Sequence, residues 1–228
     1  MNMKHKEILY IPKQKWVDFS FPAHTLTWAQ DLEPLKQSLL PEDVPLFLSI
    51  YEKALGSPKK AKKEGELFLE KYPVHPVVLN LLSFIYISLK KVKKAKKLIE
   101  CNYELNPENI FAKINYAHHC LDKKKFEKIP EIFQGKFSLQ DLYPERKTFH
   151  ISEFRGFVLL MGYYFLSIDK RALAIHYHYL AKRLDKNHPS TLLLQKKIYY
   201  IPIHKKIVSA LNSVLFYSSS NRKKEQIS

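Results

Sequence analysis

From about residue 42 to residue 200, apolar side chains recur at three- and four-residue intervals, as in Leu79, Leu82, Ile85, Tyr86 and Leu89. That is the spacing of one face of an α-helix. Proline and glycine cut the pattern into pairs of helices. The first pair is predicted at about 44–55 and 58–72, with the turn at Gly56-Ser57-Pro58. The second falls at 76–90 and 93–105, the third at 108–122 and 125–133, and the fourth at 152–168 and 170–184. One more helix is predicted over 190–200. Residues 134–150 break the rhythm with Gly135 and Pro144 and read as an inserted loop or short helix. Beyond Pro202, the residues Ile203, Ile207, Leu211 and Val214 share one face, which predicts a final helix ahead of a polar tail from 218 to 228. Residues 1–30 have no helical period but carry Trp16, Phe19, Phe21 and Trp28. They read as an extended arm that packs onto something, followed by a short helix within 31–40 that begins near Pro34.

The pairs repeat. Pro73 and Pro107 each close one and stand 34 residues apart, with Ala61 and Ala95 twelve residues before them. A fixed period of this length means one supersecondary unit stacked on itself. With only five glycines, the chain has little of the turn chemistry of a strand-rich fold. The fold class is all-α: an α-solenoid of about four helical hairpins with an N-terminal arm and a C-terminal capping helix. The chain divides into an arm and short helix (1–40), the repeat array (41–200, with the insertion at about 134–150), and the capping helix with its tail (201–228).

The units resemble the tetratricopeptide repeat. The second supplies Leu79, Leu82, small Ser83 and Tyr86, then Ala95, Ile99 and Pro107, and departs at Asn102, where a small residue is usual. The third has Tyr116 and Ala117 but Ile129 at a small position, and the fourth has Val158, Met161, Gly162, Phe165, Ala174 and Ala181. The first keeps Leu48, Ser49, Ala61, Phe68 and Pro73. Small residues let helices approach closely, so Ser83 is expected to face Ala95, and Gly162 to face Ala174.

The resemblance implies a peptide- or protein-binding groove along the first helices. It would be lined by Val77, Asn80 and Phe84, then Phe111, Ile114, Asn115 and His118, then Leu159, Tyr163 and Leu166. That chemistry suits an extended or helical segment with hydrophobic anchors, as in the tetratricopeptide chaperones of type III secretion. Family members that clamp a terminal carboxylate use lysine or arginine beside asparagine, and this face has Asn80 and Asn115 without a matching cation. The arm's own aromatics are an alternative occupant of the groove, and the arm could also join two copies of the chain.

Charge adds a second surface. The formal net charge is +16, and apart from Arg146, Arg155, Arg171, Arg183 and Arg222 every cationic residue is lysine. The lysines follow the repeat: Lys59, Lys60, Lys62 and Lys63; Lys90, Lys91, Lys93, Lys94, Lys96 and Lys97; Lys123, Lys124, Lys125 and Lys128. Equivalent positions of stacked units align, so these are expected to form one basic ridge. A ridge of this kind could meet RNA, DNA or anionic lipid through counterion release, or serve as a solvated edge. Scarce arginine argues against base readout.

Little supports catalysis. The runs His118-His119-Cys120 and His176-Tyr177-His178 place neighbours on different sides of a helix, so neither makes a metal ligand pair by itself. No metal site, cofactor or phosphate-binding glycine loop is expected. Cys101 and Cys120 lie in helical patterns and read as free thiols of a reducing compartment. There is no secretory signal pattern, and the most apolar stretch, 156–168, is short of a membrane span. The reading is a soluble, cytoplasmic, non-enzymatic interaction scaffold, with backbone binding of nucleic acid along the lysines as its alternative.

Overall fold

The computed structural model describes residues 8–16, 19–29 and 33–200, so the expected capping helix and tail lie outside the described residues. The arm forms strands β1 (Ile8–Ile11), β2 (Gln14–Trp16), β3 (Phe19–Phe21) and β4 (His24–Thr27), followed by helix α1 (Glu33–Ser38). β1 runs antiparallel to β4, pairing Ile8 with Thr27 and Ile11 with His24, and the β2–β3 hairpin lies between them in sequence.

The helical hairpins follow. α2 (Asp43–Gly56) turns into α3 (Pro58–Lys71), and α4 (Pro76–Ser88) into α5 (Val92–Leu105). α6 (Ile110–Asp122) precedes the short helices α7 (Lys128–Ile132) and α8 (Leu139–Leu142) and the two-residue strand β5 (Phe149–His150). α9 (Ile151–Ser167), α10 (Arg171–Leu184) and α11 (Pro189–Ile198) complete the described chain. Proline stands at the start of α3, α4 and α11, where its missing N–H has no intrahelical acceptor to lose. α6 starts at Ile110 because the Asn109 side chain accepts from the N–H groups of Phe111 and Ala112, both at 3.1 Å. α9 starts in a capping box: the His150 ring accepts from Ser152 N–H at 3.2 Å, and Glu153 accepts from His150 N–H at 2.9 Å.

The repeat is most exact in the turns. Lys90, Lys124 and Asp169 each follow the first helix of a hairpin with φ of 58°, 58° and 59°. In each case the next N–H reaches back five residues to a carbonyl: Lys91 to Tyr86 at 2.8 Å, Lys125 to Cys120 at 2.9 Å and Lys170 to Phe165 at 2.8 Å. This is a Schellman cap, which satisfies carbonyls left open at a helix end. Lys90 and Lys124 are 34 residues apart, whereas Lys124 and Asp169 are 45 apart. The insertion therefore lengthens the third unit by eleven residues and leaves the repeat otherwise intact.

That third unit differs from its expected form. Its second helix, predicted over 125–133, is the five-residue α7. Pro130 can sit only in a first turn, and the left-handed pair Gln134 (φ 54°) and Gly135 (φ 68°) ends the helix at once. With α7 so short, α6 packs directly on α9. The insertion is ordered around α8 and β5, with Leu139, Leu142 and Phe149 buried.

Two cores result. α1, the first hairpin and the facing sides of α4 and α5 enclose Leu35, Phe47, Ile50, Phe68 and Leu82. The larger core unites the third and fourth units, the insertion and the arm around Phe21, Phe133, Phe154, Phe157 and Tyr177. β5 extends the arm sheet in parallel, pairing Leu26 with Phe149, in the order β1-β4-β5. The Tyr177 hydroxyl donates to the Phe137 carbonyl at 2.6 Å, and Gln140 N–H donates to His24 Nε2 at 3.2 Å. Ser83 is buried and donates to the Leu79 carbonyl at 2.7 Å. At Gly162 the first atom a Cβ would meet is Leu194 Cδ2, at 2.5 Å. That glycine thus admits α11, where the sequence pointed to Ala174.

Candidate functional site

The face expected to bind runs over α4, α6 and α9. Val77, Asn80 and Phe84 lie at three- and four-residue spacing on α4, and Val77 and Phe84 remain 37% and 41% exposed. Phe111, Asn115 and His118 on α6, and Tyr163 and Leu166 on α9, are half-buried. Ile114 and Leu159 are corrected: both are buried, Ile114 lying where a Cβ on Gly156 would come within 3.3 Å of it. Ile114 packs against α9, and Leu159 belongs to the same core.

The described arm residues lie elsewhere. Phe19 and Phe21 pack against His176 and Tyr177 of α10, and Phe21 also packs against Phe154 of α9. Val77 and Phe84 are left open to solvent.

The two asparagines of this face belong to a network that the sequence did not reveal. Asn106 Nδ2 donates to the Val74 carbonyl at 2.9 Å and to Asn102 Oδ1 at 3.0 Å. Asn102 Nδ2 donates to the Pro76 carbonyl at 3.2 Å and to Asn80 Oδ1 at 2.9 Å. Asn115 Nδ2 completes the chain at Asn80 Oδ1, 3.0 Å away. A carbonyl can only accept, so the two backbone contacts fix the amides of Asn106 and Asn102; Asn102 then orients Asn80, and Asn80 orients Asn115. Asn80 must turn its oxygen inward and Asn115 its nitrogen. An amide N–H donor of Asn80 and the Oδ1 acceptor of Asn115 therefore remain for the groove, on neighbouring helices.

This explains the departure at Asn102, which is 1% exposed. A small residue there would leave the Pro76 carbonyl without its side-chain donor. Asn102→Leu is expected to destabilise the protein by about 2–3 kcal/mol, since it strands buried polar partners. Chemical denaturation measures this, and a change below about 0.5 kcal/mol would show that the network contributes nothing.

A cation missed from the sequence completes the face. Lys197 of α11 stands 5.0 Å from the centre of the Tyr163 ring, and His118 meets the same ring edge-on at 6.2 Å. The available signal was the break at Asn187-His188-Pro189, which starts α11 as another first helix of the stack. Burial lowers the pKa of His118 and raises that of Tyr163, so at neutral pH this end carries one positive charge on Lys197 among neutral rings.

The histidine runs do not assemble a metal centre. His119 pairs with Glu100 at 3.1 Å, while His176 is buried among aromatic rings. Among the described residues no cluster of three or more His, Cys, Asp or Glu is placed to hold a metal ion. Cys101 and Cys120 are free thiols.

The lysines lie where the hairpins turn. Twelve of the fourteen are exposed, with Lys62 and Lys96 half-buried. Lys62 pairs with Glu66 at 3.4 Å, and Lys128 with Glu131 at 2.6 Å. The Lys62 ammonium is the leading cause that holds Lys91 below the ordinary lysine range, with burial and Lys94 adding to it. Lysines of the first and second units therefore meet in space.

The chain is similar to the solved structure of PilF from Pseudomonas aeruginosa, with a TM-score of 0.50 and 21% identity over 70% of this chain and 68% of that one. The fold is tetratricopeptide-like. It also aligns with MamA RS-1 in an ArsTM double mutant, at a TM-score of 0.44 and 15% identity, over 70% of this chain and 94% of that one. No family model matches the chain, and no curated protein matches it. Among the described residues, no helix is long and apolar enough to cross a membrane.

Proposed function

We propose that this protein is a non-enzymatic interaction scaffold that captures a peptide or protein segment along the face of α4, α6, α9 and α11. The observation that carries this reading is the open pair Val77 and Phe84, flanking the oriented amides of Asn80 and Asn115. Exposed apolar side chains supply anchors, and an adjacent donor and acceptor match the N–H and C=O of a bound backbone. Lys197 adds a preference for a negative charge toward the α11 end of the segment. The tetratricopeptide-like fold supports the reading, since stacked hairpins present long surfaces rather than enclosed reaction chambers.

Selection from a random peptide library tests it. Peptides enriched on the protein should carry two apolar anchors and bind at least tenfold more weakly to Phe84→Ala and Tyr163→Ala variants, because truncated aromatic anchors dominate interface energy. Enriched peptides that bind both variants as tightly as the native chain would place the partner elsewhere.

A further inference from the structure

Contacts between α2 and α4 and between α4 and α6 set the first helices side by side. Each is separated from the next by one antiparallel helix, so the turns that end them share one edge of the stack. Around the first two turns this edge exposes Lys59, Lys60, Lys63, Lys90, Lys91, Lys93, Lys94 and Lys97. Lys123, Lys124 and Lys125 continue it at the third.

Two features set this edge apart. Lys62, Lys91 and Lys94 gather around the carboxylate of Glu66, so positive charge stays in excess there. Lys90 and Lys124 hold φ of 58°, a conformation that costs an ordinary L-residue about 1 kcal/mol or more and that glycine or asparagine accepts readily. An edge that keeps lysine in this excess and against this penalty is suited to a counter-charge from outside.

The chemistry between the lysines separates two kinds of polyanion. Leu55, Ile87 and Val92 border the first two turns and are 61%, 55% and 51% exposed. The exposed rings nearest these turns in sequence, Tyr51 and Phe84, stand one helical turn back from Leu55 and Ile87 and not among the lysines. Single-stranded nucleic acid is held by successive rings on which bases stack, whereas the apolar side chains directly beside these lysines, Leu55, Ile87 and Val92, are aliphatic. Aliphatic side chains among lysines instead match the boundary between lipid headgroups and acyl chains. At the third turn Leu121 and Phe126 are half-buried, so contact centres on the first two hairpins while the third extends the positive field.

We propose that this edge docks on an anionic lipid surface, with the lysines over the headgroups and Leu55, Ile87 and Val92 dipping between them. Ile87 stands one turn from Phe84 on α4, so the lysine variants, which touch neither Phe84 nor Tyr163, are what separates this site from the peptide-binding face.

The full chain is mixed with vesicles of phosphatidylcholine alone or with about one-third phosphatidylserine, at about 0.05 and 0.5 M salt, and pelleted. Binding is expected on the anionic vesicles at low salt only. Each lysine near such a surface contributes roughly fivefold, so Lys90→Gln/Lys91→Gln/Lys93→Gln should weaken binding about a hundredfold. Leu55→Ser/Ile87→Ser/Val92→Ser, which keeps every charge, should weaken it about tenfold or more. All six side chains are exposed, and matching thermal melts confirm that the variants fold. No pelleting with anionic vesicles at low salt overturns the proposal. So does vesicle binding that ignores the aliphatic variant while a single-stranded RNA homopolymer binds as tightly, which assigns the edge to nucleic acid.

Discussion

Acidification from neutral pH to about 4.5 is expected to unfold the protein, through histidines that the fold buries uncharged. His24 and His176 are 1% and 0% exposed, and burial brings each from the ordinary 6.5 to about 4. His24 is further committed to neutrality because its Nε2 accepts from Gln140 N–H while Nδ1 faces the Pro22 carbonyl at 2.9 Å. Between pH 6.5 and 4 the unfolded chain binds protons at these sites and the folded chain does not. Stability is therefore full above 6.5 and falls as pH falls through this window. Each histidine contributes about 1.4 kcal/mol per pH unit, so the pair removes roughly 5 kcal/mol by pH 4.5, comparable to the whole stability of many domains. His75, His118, His178 and His188 are lowered by burial as well and act in the same direction. Lower still, Asp43 loses the support of Lys71 and Tyr72, and Glu66 that of Tyr86 and Lys62. Unfolding followed by circular dichroism across this range should show the steep loss. His24→Gln, which keeps an acceptor for Gln140, should make the slope shallower by about 1.4 kcal/mol per pH unit. A stability that stays flat from pH 7 to 5 would contradict the buried neutral state.

Phe21→Ala is expected to cost about 3–5 kcal/mol, the range for deleting a buried phenylalanine. Phe21 is fully buried and touches five rings: His24 stacked at 4.8 Å, His176, Tyr177 and Phe154 edge-on at 5.5, 6.1 and 6.3 Å, and Phe19 tilted at 6.4 Å. It is thus the anchor by which the arm joins the fourth hairpin. The loss should be local first, because the arm is held to the insertion by the short β4–β5 pairing. Hydrogen exchange should quicken in residues 19–27 and 137–150, while α4 and α5, which belong to the other core, keep their native protection. Uniform exchange across the chain, or a change in stability below about 1 kcal/mol, would show that the arm is not integral to that core.

The paired helices could be read from the chain because each depends on neighbours a few residues away: apolar positions on one face, proline at a first turn, and a break near each cap. The all-α solenoid followed from these. The sheet joining arm to insertion could not be read, since Leu26 and Phe149 pair across more than 120 residues and neither segment has a helical period to betray it. Asn102 stood out only as a misfit to the repeat. Its reason, the Pro76 carbonyl and the Asn80 amide, belongs to a different helix. Lys197 escaped notice because the break at Asn187-His188-Pro189 marks another helix without marking which helices that helix will face.

The sequence by itself therefore determined the helices, the period and the placement of lysines at the turns, because backbone hydrogen bonding and side-chain spacing within a helix are local. Only the tertiary structure decided which residues of the binding face are open. Past the shortened α7, α6 packs on α9, and Ile114 and Leu159 are buried in their shared core, whereas Val77 and Phe84 on α4 stay exposed. Burial depends on which helices come together, and a spacing along one chain does not specify that.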